Sequence, residues 1–420
     1  MDLEAWESTL RAAVLQAGAK ALSGLLQGIG CGLRGTPVAC PCGERMESRG
    51  LKAKPFVSIL GPVSYLRSMF QCPRCRATRY PGDEMLDIVA TTRSPGLRRM
   101  MARAGSRSTF KDARDDLKVY AGIDVSAKDV ERVAEAVGED MERWTAGERE
   151  TLIEQEPPGR PKDQVPVLYV SYDGTGVPMV AAALQGRQGK QPDGSSVTRE
   201  VKLGCVFTQT ATDDKNRPLR DPASTSFVGA IETAEVFGWR IYGEALRRGL
   251  LTAKKVVVLA DGAAWIWNIA QLHFPQAIQI IDLYHAREHL STLCKLLGGP
   301  EPVVAERRLK YWDLMDAGEI ESILSAARDA LPEDLDMRKQ AETELGYFQN
   351  NCDRMRYAQF RALGLFVGSG VVEAGCKTVI GQRLKQSGME WSVRGANAII
   401  ALRCVAHSDR LEDYWEQRAA

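Results

Sequence analysis

Residues 165–176 read Val-Pro-Val-Leu-Tyr-Val-Ser-Tyr-Asp-Gly-Thr-Gly, an apolar run that predicts a buried strand and leads into Asp173. A second apolar run, Lys255-Val-Val-Val-Leu-Ala, leads in the same way into Asp261 and a glycine. The other elements predicted in this region are two strands and a helix, over residues 200–208, 277–282 and 227–248. Strands mixed with helices predict an α/β enzyme core with carboxylates at strand ends.

A single Asp-Gly pair is commonly no more than a turn, but two such pairs, each ending an apolar strand, predict a functional site. Grouped carboxylates repel one another unless a hard cation joins them, and two Mg²⁺ ions can stabilise both reacting oxygens of a phosphodiester. Glu373, in the stretch Gly368-Ser-Gly-Val-Val-Glu, is the best third acid, with helix capping as its alternative role. The residues after it that suit phosphate and base contacts are Arg383, Lys385 and Trp391.

Two cysteine pairs stand near the N-terminus, and a predicted β-hairpin separates them. The pairs are Cys40-Pro-Cys42 and Cys72-Pro-Arg-Cys75, with 29 residues between them. Four thiolates predict one closed, structural Zn²⁺ site; unconnected buried thiols and a redox pair are the alternatives. The first pair is one residue shorter than the usual spacing, and Cys31 is a substitute ligand that we expect to be dispensable.

Positive charge is concentrated in residues 31–110, which hold 14 Lys/Arg and 5 Asp/Glu although the whole chain has a net charge of +1. Next to this segment, residues 110–120 predict a helix, 121–125 a turn and 126–137 a second helix, with Ser126 and Asp129 spaced as a capping box. This outline is typical of a helix-turn-helix, although many helical hairpins share it without touching DNA. The basic neighbour favours DNA binding.

The longest apolar runs are far shorter than the roughly 20 residues of a membrane helix, so we expect no membrane association. Cysteine usage predicts a cytoplasmic protein. The predicted divisions are an N-terminal helical arm for packing or dimerisation (1–30), a zinc ribbon (31–95), a helical DNA-binding region (96–145), a linker (146–166), a catalytic core in two parts (167–285 and 366–410), a helical insertion (286–365) and a tail (411–420).

Several motifs together resemble one family. In chain order they are the Cys-x-Cys-Gly and Cys-Pro-x-Cys pairs with the Leu-Gly-Pro-Val turn between them, Tyr172-Asp-Gly-Thr-Gly-Val-Pro, Arg199-Glu-Val-Lys-Leu-Gly, Val258-Leu-Ala-Asp-Gly-Ala, Asp282-Leu-Tyr-His285, Gly368-Ser-Gly-Val-Val-Glu, and Gln382-Arg-Leu-Lys-Gln-Ser-Gly-Met-Glu-Trp391. The chain from about Cys40 to Arg403 resembles bacterial insertion-sequence transposases of the ISKra group. The short first cysteine pair is also part of the resemblance.

The resemblance implies a ribonuclease H-like catalytic core whose Asp/Asp/Glu triad is Asp173, Asp261 and Glu373. It also implies a helical insertion, for which the 111 residues between Asp261 and Glu373 leave room, and a supporting role for Asp282 and His285. His289 has no counterpart and is interpreted as a surface or packing residue.

The function implied is DNA transposition: binding of terminal inverted repeats and target DNA, hydrolysis and strand transfer with two Mg²⁺ or Mn²⁺ ions, and assembly as a homodimer or larger complex on DNA. A metal-dependent nuclease without strand transfer and an inactive DNA-binding protein are the alternatives.

Overall fold

The computed structural model describes residues 2–29, 38–154, 165–189, 191 and 194–419. The chain divides into two compact units, Met1–Val137 and Gly138–Ala420. Both units are mixed: each contains a β-sheet together with helices. Within the part of the chain that is described, no helix combines the length and the apolar character needed to cross a membrane.

The first unit begins with one long helix and a four-stranded antiparallel sheet in the order β1-β2-β3-β4. These elements are α1 (Leu3–Ile29), β1 (Val38–Ala39), β2 (Arg45–Ser58), β3 (Gly61–Gln71) and β4 (Thr78–Arg79). The hairpin predicted around Gly61-Pro62 is present, and Gly61 has the positive φ of 114° that its tight turn requires. Its apolar face packs on the helix through Phe56, Val63, Ala19 and Leu26.

Four helices follow: α2 (Pro81–Met85), α3 (Pro95–Arg107), α4 (Phe110–Ala121) and α5 (Ala127–Glu154). The predicted capping box begins α5, since the Asp129 backbone N–H donates to Ser126 Oγ at 3.0 Å. Helix α4 ends at Gly122, whose φ is 68°, so the predicted helix-turn-helix outline is present as a shape.

The predicted linker over 146–166 is wrong for its first part, because α5 continues without a break to Glu154. The segment Glu148-Arg-Glu-Thr-Leu-Ile-Glu consists mainly of good helix formers, and the first proline comes only at Pro157. Residues 155–164, the middle of the predicted linker, lie outside the described residues.

The second unit contains a six-stranded sheet in the order β10-β9-β5-β6-β7, with β8 also paired to β6. Its strands are β5 (Val167–Pro178), β6 (Thr198–Thr212), β7 (Pro218–Arg220), β8 (Ser226–Ala230), β9 (Lys255–Ala260) and β10 (Ile278–Ile281). Strands β5, β9 and β10 are parallel, whereas β6 is antiparallel to β5 and to β8. The helix predicted from Phe227 is a strand up to Ala230, because Phe227–Ala230 pair with β6.

Helices flank this sheet and fill the stretch between its last strand and Glu373. They are α6 (Ala234–Arg247), α7 (Ala264–His273), α8 (Leu283–Leu296), α9 (Glu301–Ala317), α10 (Ile320–Asp329), α11 (Leu335–Asn351), α12 (Tyr357–Ala362), α13 (Gly370–Gly375), α14 (Gln382–Leu384), α15 (Val393–His407) and α16 (Leu411–Ala419). One apolar core joins the parallel strands to α6, α7 and α8–α12, so the predicted insertion packs on the sheet's own core. The segment predicted as a tail from 411 is mostly helix, because Tyr414 is buried and its ring contacts Trp144.

Candidate metal centres

The four predicted zinc ligands form a cluster in the first unit. Ligand atoms of Cys40, Cys42, Cys72 and Cys75 all lie within 4.8 Å of one another. The sulfur of Cys42 is 3.4 Å from that of Cys40 and 3.5 Å from that of Cys72. This cluster could hold a structural metal such as zinc, because four thiolates fill a tetrahedral site. Cys31 lies outside the described residues.

Local turns at the two ends of the hairpin shape this cluster. The Gly43 backbone N–H donates to the Cys40 carbonyl at 2.9 Å, and that closed turn accommodates the short first pair. On the other side, the Cys75 backbone N–H donates to the Cys72 sulfur at 3.4 Å. This hydrogen bond is the largest of several contacts that lower the pKa of Cys72 to about 6, which favours its thiolate at neutral pH, whereas the pKa values of Cys40 and Cys42 are raised.

The second candidate site involves Asp173, which lies inside β5 and not at its end as the sequence predicts. Among the described residues, only the four cysteines form a group close enough to hold a metal ion. The strand continues to Pro178 because β6 pairs with it along its whole length. The parallel neighbour β9, however, pairs with β5 only as far as Val170, and Asp261 comes directly after β9. Both aspartates therefore lie beyond the end of the parallel pairing, at the same edge of the sheet.

Glu373 lies on α13 and lines an open cavity of about 360 Å³ together with Asp173. The other residues around the cavity are Thr175, Cys376, Lys377, Gly381 and Lys385. Burial raises the pKa of Asp173, and the negative charges of Asp261 and, more weakly, Glu373 raise it further. The structure thus places the three predicted acids close enough for the charges of Asp261 and Glu373 to act on Asp173, although Asp261 does not line the cavity.

A π-helical turn, Cys376–Gly381, follows α13 immediately and supplies part of the cavity wall. The Cys376 thiol donates to Asp173 Oδ2 at 3.6 Å, and the Ser369 hydroxyl donates to Glu373 Oε1 at 3.3 Å. Turns of this kind are rare and frequently occur at functional sites. The sequence carries no signal that marks Cys376 or Ser369 as site residues, because hydrophobic periodicity does not reveal a π-turn.

Asp282 connects three segments that meet behind the acids. It is buried, its backbone N–H donates to the Ala260 carbonyl at 2.8 Å, and its Oδ1 accepts from the backbone N–H of His285 at 2.7 Å. Its other oxygen accepts from the backbone N–H of Ser369, just before α13. Asp282 therefore holds the end of β9, the start of α8 and the approach to Glu373 together.

The two histidines of α8 differ in their contacts. His285 is half exposed, and its ring nitrogen lies 3.7 Å from a Glu288 oxygen. His289, interpreted from the sequence as a surface or packing residue, makes a 2.7 Å contact with Glu344 and stacks on Tyr347 with ring centroids 4.0 Å apart.

Tyr347 in turn lies over Gly262, where an added Cβ would be 2.1 Å from the tyrosine ring. Burial and the charges of Asp261 and Asp282 raise its pKa. The space beside this glycine is therefore occupied by Tyr347 of the helical insertion.

The space beside Gly174, the glycine of the other Asp-Gly pair, is also occupied by a side chain of the protein. An added Cβ on Gly174 would be 2.3 Å from the Glu200 carboxylate, which pairs with the buried Lys202. Lys202 also lies 5.0 Å from the centroid of the Trp265 ring. Glu200 and Lys202 belong to the Arg199-Glu-Val-Lys motif, but only the strand register brings them against Gly174.

The three residues predicted to contact DNA separate into two groups. Lys385 lines the cavity, and its Nζ donates to Thr175 Oγ1 at 2.5 Å. Arg383 is fully buried, 5.0 Å from the ring of Trp391, which is itself buried with its indole N–H donating to the Leu384 carbonyl at 3.1 Å. Burial lowers the pKa of Arg383 to about 10.

DNA contact by Arg383 and Trp391 is therefore a prediction that the structure contradicts. On a helical turn, residues two positions apart point to nearly opposite sides, so Lys385 faces outward where Arg383 faces inward.

Comparison with known proteins gives one distant relative. No family model matches the chain. It is similar to a protein of Streptococcus gallolyticus described as "UPF0236 protein in vanSb 3'region", with 21% identity over 382 residues, which cover 89% of this chain and 75% of that protein. The similarity extends through both units.

Proposed function

We propose that this protein is a DNA transposase of the Asp/Asp/Glu type and that Asp173, Asp261 and Glu373 form its catalytic centre. The observation that carries the proposal is the cavity in which Asp173 and Glu373 face Lys377 and Lys385, beside Asp261. Acids that can hold cations, adjacent to lysines that can hold phosphates, are what phosphoryl transfer on DNA requires.

The strand arrangement supports a ribonuclease H-like fold for the second unit. Strands β5, β6 and β8 form an antiparallel series, and β9 and β10 then add in parallel on the other side of β5. The first acid lies on the central strand, the second follows its parallel neighbour, and the third comes from a helix later in the chain. This is the order that the resemblance to ISKra-group transposases implies.

The three acids suit hard divalent cations. Among the described residues, none of them forms an ion pair with a lysine, arginine or histidine, and burial with mutual repulsion raises the pKa of Asp173. Carboxylate oxygens are the ligands that Mg²⁺ and Mn²⁺ prefer. Bound there, two such ions would supply a nucleophile at neutral pH and neutralise charge on the phosphate.

The chain's own residues have separable roles in this proposal. Lys377 and Lys385 bind the phosphates flanking the reacting one, because both border the cavity. The Ser369 hydroxyl orients Glu373, and Asp282 holds the backbone that precedes Glu373 against the end of β9. The basic first unit, with its cysteine cluster as a structural element, binds the terminal repeats.

The test uses purified full-length protein, Mg²⁺ and a plasmid carrying the element's two ends. We expect cleavage at the ends and products joined to target DNA, and a loss of on the order of 10³-fold or more in Asp173→Asn. Asp336→Asn, an exposed carboxylate on α11, is the matched control and should keep full activity. Lys385→Ala should bind the ends and lose joining.

The outcomes separate the alternatives. Cleavage without joined products would make the protein a nuclease, and specific binding of the ends with neither reaction would make it a DNA-binding protein. Equal activity in Asp173→Asn and wild type would remove Asp173 from the centre.

A further inference from the structure

Helix α1 has an apolar stripe that the described residues of its own unit leave uncovered. Its inner side packs on the hairpin through Ala19 and Leu26. Its outer side presents five large apolar side chains that are 62–67% exposed: Leu3, Trp6, Leu10, Val14 and Leu25. At about 100° per residue these five fall in one stripe roughly opposite the packed side.

The stripe is asymmetric along its length. Its N-terminal half carries Leu3, Trp6 and Leu10, whereas further along the same side stand the small residues Ala17, Ala21 and Gly24. A Cβ added at Gly24 would meet nothing within 4 Å, so the space beside it is open. Apart from Leu25, the N-terminal half of the stripe is raised and the C-terminal half is recessed.

We infer that α1 pairs antiparallel with α1 of a second copy of this chain, about a two-fold axis between Ala13 and Val14. That axis sets Leu3 against Gly24, Trp6 against Ala21 and Leu10 against Ala17 of the partner chain. Leu3, Trp6 and Leu10 then each meet a small residue, which is how helices pack closely without voids, whereas Leu25 meets Asp2 at the end of the pair. Parallel pairing would set the large side chains of the two N-terminal halves against each other and leave a gap between the small residues of the two C-terminal halves.

The area is sufficient for a stable pair. If Leu3, Trp6, Leu10 and Val14 become buried in both copies, the pair removes on the order of 1,000 Å² of surface from water, about the minimum for a specific interface. The charges of α1 are Glu4, Glu7, Arg11 and Lys20, which cancel. DNA and anionic lipid surfaces attract basic helices, so a second protein helix suits this stripe better.

The first test is the mass of the full-length protein in solution, measured by light scattering after size exclusion. We expect twice the chain mass of 46.2 kDa for wild type and the single-chain mass for Trp6→Glu/Leu10→Glu. Leu335→Glu, at a still more exposed leucine on α11, is the control and should stay dimeric. A monomeric wild type, or a double variant that keeps the dimer, would overturn the inference.

The second test addresses register. A photoreactive benzoylphenylalanine at position 10 should crosslink to the partner chain near Ala17, as mapped by mass spectrometry on mixed isotope-labelled and unlabelled protein. Crosslinks to Leu10 of the partner would mean parallel pairing and contradict the model. Flotation with phosphatidylcholine/phosphatidylglycerol vesicles that the double variant abolishes would reassign the stripe to a membrane surface.

Discussion

The cysteine cluster of the first unit and the carboxylate cavity of the second are assembled by different means. The four sulfurs come from turns at the ends of one hairpin, and all lie within 4.8 Å of one another. The three acids come from β5, the end of β9 and α13, up to 200 positions apart in the chain. A site built from local turns can be predicted from residue spacing. A site built from distant segments depends on the strand register and the core packing that position those segments.

The largest effect is expected at the cysteine cluster. Cys72→Ser should abolish zinc binding and make the first unit sensitive to protease, because metal binding by four thiolates contributes on the order of 10 kcal/mol to folding. Metal analysis and limited proteolysis measure both. Cys352→Ser, at a cysteine outside the cluster, should retain one zinc per chain. Unchanged zinc content in Cys72→Ser would show that the cluster is not the metal site.

An intermediate effect is expected where the insertion meets the carboxylate site. Gly262→Ala should lower the free energy of unfolding by about 1–3 kcal/mol, since the new methyl group would overlap Tyr347. Denaturant unfolding measures this. Gly346→Ala, next to Tyr347 but with no atom near its Cβ, should be neutral or stabilise the helix by up to about 1 kcal/mol.

A double variant sharpens this test. Combining Gly262→Ala with Tyr347→Ala should lower the free energy of unfolding by less than the sum of the two single changes, because the overlapping ring is gone. If Gly262→Ala were no more harmful than Gly346→Ala, the insertion would not support the backbone beside Asp261.

The smallest effect concerns the pH dependence of stability without divalent metal. The folded-state pKa of Asp173 is raised, so its folded carboxyl binds a proton more tightly than the unfolded one. Its contribution to stability is therefore lost as pH rises through that raised pKa. Asp173→Asn should melt a few degrees above wild type at pH 7 in EDTA, and the difference should disappear at lower pH. A variant that melts below wild type at pH 7 would mean that the carboxylate is not repelled there.

Where local rules dominate, sequence reasoning was accurate. The helix that begins at Phe110, the capping box of Ser126 and Asp129, and strand β9 stand where the sequence predicts them. Each depends on a few adjacent residues. The αL glycine Gly122 ends the first helix, the Ser126 hydroxyl caps the second, and a run of valines forms the strand.

Predictions from the sequence were wrong where pairing with another strand decides the secondary structure, or where burial decides which way a side chain points. Strand β8 reads as the start of a helix and becomes a strand because β6 pairs with it, and β5 extends past Asp173 for the same reason. The periodicity of residues 383–391 does not reveal that Arg383 and Trp391 turn inward together while Lys385 turns outward.

By itself, the sequence determined the four cysteines, the three candidate acids and most helices, because capping, turn chemistry and hydrophobic periodicity act over a few residues. Only the tertiary structure decided that Tyr347 covers Gly262, that Glu200 covers Gly174, and that Lys385, not Arg383, borders the acids. The physical reason is that Glu200 stands 26 positions from Gly174, Tyr347 stands 85 positions from Gly262 and Lys385 stands 212 positions from Asp173. Which side chains then meet is fixed by strand register and core packing, and no short-range pattern in the chain encodes either one.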